Sequence, residues 1–253
     1  GDPHDAIFNP PGRPWGIAFT LIFSAVIAIV YVVTSGFVVS VSVGLLSVHK
    51  PQIDLQAQLS QLMSNGFVIS IASISGSIVG SALIVLAASL RRGLALSEYL
   101  CLKPVPLPLL GKWLVAVIIL LALADLSNWL LARPIVPPFM VQVYATAEFK
   151  SLLFLAIVVA APLVEELFFR GFLFAGLANS RLGPRCTIAI TAIAWGSIHT
   201  QYELIDILLI CFLGVIFGIA RWKTGSIYTT MVLHALTNLG ALIEVWLLAL
   251  IGM

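Results

Sequence analysis

The chain has 253 residues, of which 60% are hydrophobic and 9% charged, with a mean hydropathy of +1.10 and a formal net charge of +2. So few charges cannot cover a water-soluble domain of this length, and the excess apolar surface must meet lipid. No basic arm or stripe occurs, which excludes nucleic acid as an electrostatic partner and leaves membrane lipid as the expected one.

The first residues, Gly1-Asp2-Pro3-His4, do not start the basic-then-apolar pattern of a signal peptide. Seven stretches are long and apolar enough to be read as bilayer-crossing helices, at about 20 residues each. They cover roughly 15–46, 67–90, 113–131, 151–178, 186–202, 204–222 and 226–251. The first is long enough to tilt or break near Gly36, and the last could be two pieces. The expected fold is therefore all-α: a polytopic transmembrane helix bundle of seven to eight spans. It forms one integral membrane domain, with helices and loops in 1–150 and a core in 151–253 that carries the candidate site.

Residues 49–65, with five polar residues among apolar ones, read as a short interfacial helix. Residues 133–150, with Pro134, Pro137 and Pro138, read as an irregular loop. The loops after spans two, four and six hold most of the basic residues, among them Arg91, Arg92, Lys103, Arg181, Arg185, Arg221 and Lys223. That bias places the N-terminus on the cytoplasmic side. Cys101, Cys186 and Cys211 show no zinc-knuckle spacing and read as small buried hydrophobes.

Ionisable groups within a span cost several kcal/mol and are functional candidates by default. Three spans concentrate them: Glu165, Glu166 and Arg170 in the fourth, His199 in the fifth, and His234 with Asn238 in the seventh. At 1.5 Å per residue from the cytoplasmic ends, Glu165, His199 and Asn238 come out at about 20 Å depth and His234 at about 14 Å. Three helices thus deliver polar groups to a similar level, as a shared, partly hydrated cavity would require.

Glu166 and Arg170 are four apart and can pair along one helix face, as a structural staple or as support for a reaction centre. Glu165 points about 100° away and is free for another task. His234 and Asn238 share a face and can offer two donors to one oxygen. A carboxylate and an imidazole around one water suit hydrolysis: they remove its proton as it attacks a carbonyl, and donors such as His234 and Asn238 stabilise the oxyanion. A structural interhelical hydrogen bond is the competing reading of each histidine, and a structural polar contact is the stronger reading of Asp125. Glu244 reads as interfacial, and Ser197 lacks the surroundings of a nucleophile.

These residues resemble the motifs of the CAAX protease and bacteriocin-processing family, which includes the Rce1-type CAAX prenyl endopeptidases. Glu165-Glu166-x-x-x-Arg170 is similar to its first motif. Trp195-Gly-Ser-Ile-His199 is similar to its second, Phe-x-x-x-His, with tryptophan in place of phenylalanine. His234-Ala-Leu-Thr-Asn238 is similar to its third. The likeness covers about 152–239, and the N-terminal half adds only hydropathy.

The resemblance implies an intramembrane glutamate-type endopeptidase. Glu165 and His199 would activate water, His234 and Asn238 would form the oxyanion site, and Glu166 and Arg170 would support them. Its substrates would be peptides or lipidated peptides, such as prenylated CAAX tails or bacterial peptide precursors. The expected location is a bacterial inner membrane. No cofactor is implied, and a zinc site is disfavoured because no HExxH occurs. Two other functions fit the same residues: a non-catalytic immunity or scaffold protein, and, with thinner support, a proton-coupled transporter.

Overall fold

The computed structural model describes residues 12–49 and 55–251. In chain order the helices are α1 (Ile17–His49), α2 (Leu55–Leu62), α3 (Gly66–Ser89), α4 (Leu96–Tyr99) and α5 (Leu107–Leu130). They are followed by α6 (Pro138–Thr146), α7 (Lys150–Ala178), α8 (Gly183–Ser197), α9 (Leu204–Thr224) and α10 (Ile227–Leu250). No strand occurs among the described residues, in line with a chain that must satisfy its backbone inside lipid.

Six of these helices, α1, α3, α5, α7, α9 and α10, are long and apolar enough to cross a bilayer. That corrects the expectation of seven to eight spans. The difference lies in the fifth predicted span. It folds as α8, whose 15 residues reach about 22 Å, short of a hydrocarbon core of about 30 Å. The first predicted span runs as one helix past Gly36, and the last is one helix rather than two pieces.

The predicted loop 133–150 also needs correction, because it contains α6. Pro138 stands at the first turn of that helix, where its missing N–H is no loss and its fixed φ favours entry. The predicted interfacial helix is α2, although 50–54 lie outside the described residues. Of the cysteines, Cys101 is buried but Cys186 is exposed.

Large apolar side chains cover the outside of the bundle, with Phe37 68% and Val32 67% exposed on α1 and Ile118 53% exposed on α5. Such faces are costly in water and ordinary against lipid. Inside, α5, α7, α8, α9 and α10 meet around Val117, Phe169, Trp195, Phe217 and Leu233. A second cluster joins α1, α3 and α7 through Ile27, Ile84 and Phe172.

Small residues set how closely α8 and α9 approach. A β-carbon at Gly196 would fall 2.2 Å from Cys211 Sγ, and one at Gly218 would fall 2.9 Å from Ile188. One at Gly214 would meet Ala192 at 3.0 Å and the Trp195 ring at 3.1 Å. Gly214 and Gly218 make a G-x-x-x-G stripe of the kind that lets membrane helices touch. α9 then stops at Gly225, whose φ of +65° is the left-handed conformation that a side chain resists. Ser226 caps α10 by accepting from Tyr228 N, its hydroxyl donates to Lys103 O, and Ile227 N donates to Cys101 O at 3.2 Å.

Candidate active site

The site begins with an irregularity in α7. Residues Ala161–Glu166 form a short α-helical piece between two π-helical turns, Leu155–Ala160 and Leu167–Leu173. In a π turn each carbonyl is served by the N–H five residues on, as Ala161 N serves Ala156 O. The next carbonyl in that register, Ile157 O, would need the N–H of residue 162, which is proline and has none. The Asn238 side chain fills the gap by donating from Nδ2 to Ile157 O at 2.8 Å. Asn238 is thus tied to the backbone of α7 through one of its two amide protons. No hydrogen bond joins it to His234 or Glu165 among the described residues.

Between the two π turns the adjacent carboxylates separate, as their 100° spacing predicts. Glu166 is fully buried and Glu165 keeps 18% of its side chain exposed. Glu166 Oε1 accepts from Arg170 Nη1 at 2.8 Å and from His234 Nδ1 at 3.0 Å. Arg170 is also fully buried and reaches Gly214 O at 3.4 Å with Nη2. A charge out of water needs such partners to offset its lost hydration, and this pair shares one histidine as well. Arg221 Nε ties the same turn down by donating to Arg170 O at 2.9 Å.

Glu165 faces α8 and α10. Its Oε2 accepts from Trp195 Nε1 at 2.5 Å and lies 3.9 Å from His234 Nε2. The Trp195 ring packs edge-on against both imidazoles, with centroids 5.4 Å from His199 and 5.1 Å from His234. Arg170 lies over the same ring at 4.5 Å. Glu165, Glu166, Arg170, His199 and His234, predicted from three separate spans, are therefore brought together. Two clefts elsewhere, one lined by Tyr99, Phe174 and Arg221 and one by Gln61, Leu62 and Thr146, do not include them.

The end of α8 explains how His199 is held. The carbonyl of Trp195 would accept the backbone N–H of His199 in a continued helix, but His199 Nδ1 takes it at 2.8 Å. The His199 N–H turns to Gly196 O at 3.1 Å, and the helix ends. A carbonyl can only accept, so Nδ1 carries the proton and Nε2 of a neutral His199 keeps a lone pair. By the same logic His234 donates from Nδ1 to Glu166. Tyr202 stacks on the His199 ring at 6.2 Å.

The sequence points to Glu165, Glu166, Arg170, His199 and His234, but it reads Arg221 as a loop residue where the structure buries it in α9, and it does not reveal Trp195 as a partner of Glu165. The available signal was the tryptophan in an otherwise phenylalanine motif, since only tryptophan has an N–H to give. Ser197 is exposed and its hydroxyl donates to Ile193 O at 2.7 Å, which leaves it without the surroundings of a nucleophile. Among the described residues no group of three or more His, Cys, Asp or Glu side chains is arranged to hold a metal ion.

No curated protein and no solved structure matches the chain. A family model described as type II CAAX prenyl endopeptidase Rce1-like matches residues 147–240. That segment starts just before α7 and ends within α10, so it contains Glu165, Glu166, Arg170, Trp195, His199, His234 and Asn238. Over this segment the chain is similar to the Rce1-like CAAX endopeptidases, and the helices that carry it include ones long and apolar enough to cross a membrane.

Proposed function

We propose that the protein is an intramembrane endopeptidase in which Glu165 is the general base. The observation that carries this reading is the convergence of Glu165 with His199 and His234 around the Trp195 indole. Glu165 is the more accessible of the two carboxylates, so it can meet water, while Glu166 is committed to Arg170 and His234.

In the reaction, Glu165 removes a proton from water as the oxygen attacks the scissile carbonyl. His199, through its free Nε2 lone pair, orients that water. The proton later passes to the leaving amine as the C–N bond breaks. His234 donates Nδ1–H to Glu166, so it can give an Nε2 proton to the oxyanion only when it carries both protons. The second amide proton of Asn238 is the other donor to that oxygen. Arg170 and Glu166 hold His234 in its orientation.

The likeness to Rce1-like endopeptidases supports the substrate class. A prenylated CAAX-type tail would enter from lipid with its cleavable end among α7, α8 and α10; bacterial peptide precursors are the second class. The basic residues after α3, after α7 and in the last turn of α9 support a cytoplasmic N-terminus, and a bacterial inner membrane is the location proposed with it.

The test is turnover of an internally quenched farnesylated peptide by the purified protein in liposomes. Glu165→Gln and His199→Ala should each lower kcat by about 100-fold or more. Wild-type turnover that survives both substitutions would reject this mechanism. No turnover on lipidated or unmodified peptides would favour a non-catalytic membrane protein.

A further inference from the structure

Trp195 is 3% exposed, yet its indole touches four polar members of the cluster. It donates to Glu165, carries Arg170 over its face, and packs against His199 and His234. Its backbone carbonyl also takes the His199 Nδ1 proton. A packing role would need only the ring, and phenylalanine would supply one. The Nε1–H does something different. It makes the two oxygens of Glu165 unequal, because Oε2 is taken by the indole and Oε1 makes no hydrogen bond among the described residues.

We infer that Trp195 is a positioning residue for the base: by holding Oε2 it leaves Oε1 as the oxygen that takes the proton from water. This rests on the peptidase reading and refines it to one atom. The balance is simple: the water O–H breaks, the proton goes to Oε1, and the water oxygen bonds the carbonyl carbon. Two physical effects reinforce the arrangement. A hydrogen bond to a carboxylate is about twice as strong as a neutral one, so it can fix a side chain that would otherwise rotate. The Arg170 guanidinium, 4.5 Å over the ring, draws electron density from the indole and strengthens its N–H as a donor. The close approach of Gly214, where a β-carbon would stand 3.1 Å from the ring, restricts movement of the indole further.

The experiment has a kinetic and a spectroscopic arm on the full chain. Trp195→Phe keeps a ring under Arg170 and removes only the donor. Its kcat should fall by about tenfold, the worth of one hydrogen bond to a charged group, while KM stays within about twofold. In the ¹⁵N-indole spectrum of the wild type, the resonance that disappears in Trp195→Phe should lie downfield. It should move upfield in Glu165→Gln, where the acceptor charge is gone.

Unchanged kcat in a folded Trp195→Phe protein overturns the inference, and so does an indole resonance that Glu165→Gln leaves in place. Should Trp195→Phe fail to fold, single Trp→Phe variants at the other five tryptophans assign the Trp195 resonance by elimination, and the comparison of wild type with Glu165→Gln still stands. Glu165-dependent turnover with Trp195→Phe unaffected rejects the positioning role alone. Absent turnover in the wild type removes the peptidase reading and the Oε1 assignment with it.

Discussion

Two arginines in this protein each face acidic partners, one at the rim of the bundle and one in its centre. Arg133, in the loop after α5, meets Glu203 at 3.1 Å and Asp206 at 3.2 Å, with Glu203 74% exposed. Arg170, in the middle of α7, meets Glu166 at 2.8 Å with both side chains fully buried. At the rim, the hydrogen bond that Arg133 donates to Glu203 and the charge of Asp206 push the Arg133 pKa further up, yet the guanidinium could be served by water instead. In the centre nothing replaces a lost partner. Similar charge pairing therefore ties a loop in one place and holds up the candidate site in the other.

That contrast can be tested in descending order of effect. Arg170→Met should be the most damaging, because it leaves Glu166 buried beside His234 without its cation. A loss of about 3–5 kcal/mol is expected, read as a lower melting temperature in detergent, with activity abolished. Glu166→Gln combined with Arg170→Met should recover part of that stability, since the stranded charge is gone. A double variant as unstable as Arg170→Met alone would show that ring packing, not charge, is what Arg170 supplies.

Asn238→Leu comes next. It exposes Ile157 O, which Pro162 cannot serve, and should cost about 1–3 kcal/mol. Hydrogen exchange should show faster opening confined to the first half of α7. If protection there is unchanged, the Asn238 bond is not what satisfies that turn.

Smallest is Arg133→Ala. Its melting temperature should stay within error of the wild type, and any difference should vanish at high salt. A large salt-independent loss would put the two arginines in the same class.

Much of the centre was legible before the fold was known. Glu165 and Glu166 separate as one residue of helix dictates, and the shared depth of Glu165, His199 and Asn238, with His234 about a turn away, anticipated that three helices bring polar groups to one level. The pairing of Glu166 with Arg170 followed from a four-residue spacing. What stayed hidden depended on backbone departures from regular helix. His199 lies just beyond the end of α8, since its own side chain takes the carbonyl that would have continued the helix. The two donors read as aimed at one oxygen each spend a proton elsewhere: Asn238 on Ile157 O, because a proline stands two residues past a π-helical turn, and His234 on Glu166. Pro137 and Pro138 read as breakers, although a proline at a helix start favours the helix. The bond from Trp195 to Glu165 crosses 30 residues and two helices, and no local pattern announces it.

The two π turns of α7 also give this helix local slack in its residue count. Each holds one residue more than a regular helix needs to cover the same rise, and the surplus is absorbed where it arises. Removing one residue from 155–160 would let that stretch relax to α-helix with the carboxylates still facing their partners. The same removal from 161–166 would swing everything beyond it by about 100° and carry bundle-facing side chains round toward lipid. Length in this helix is forgiving on either side of the acid pair and unforgiving at it.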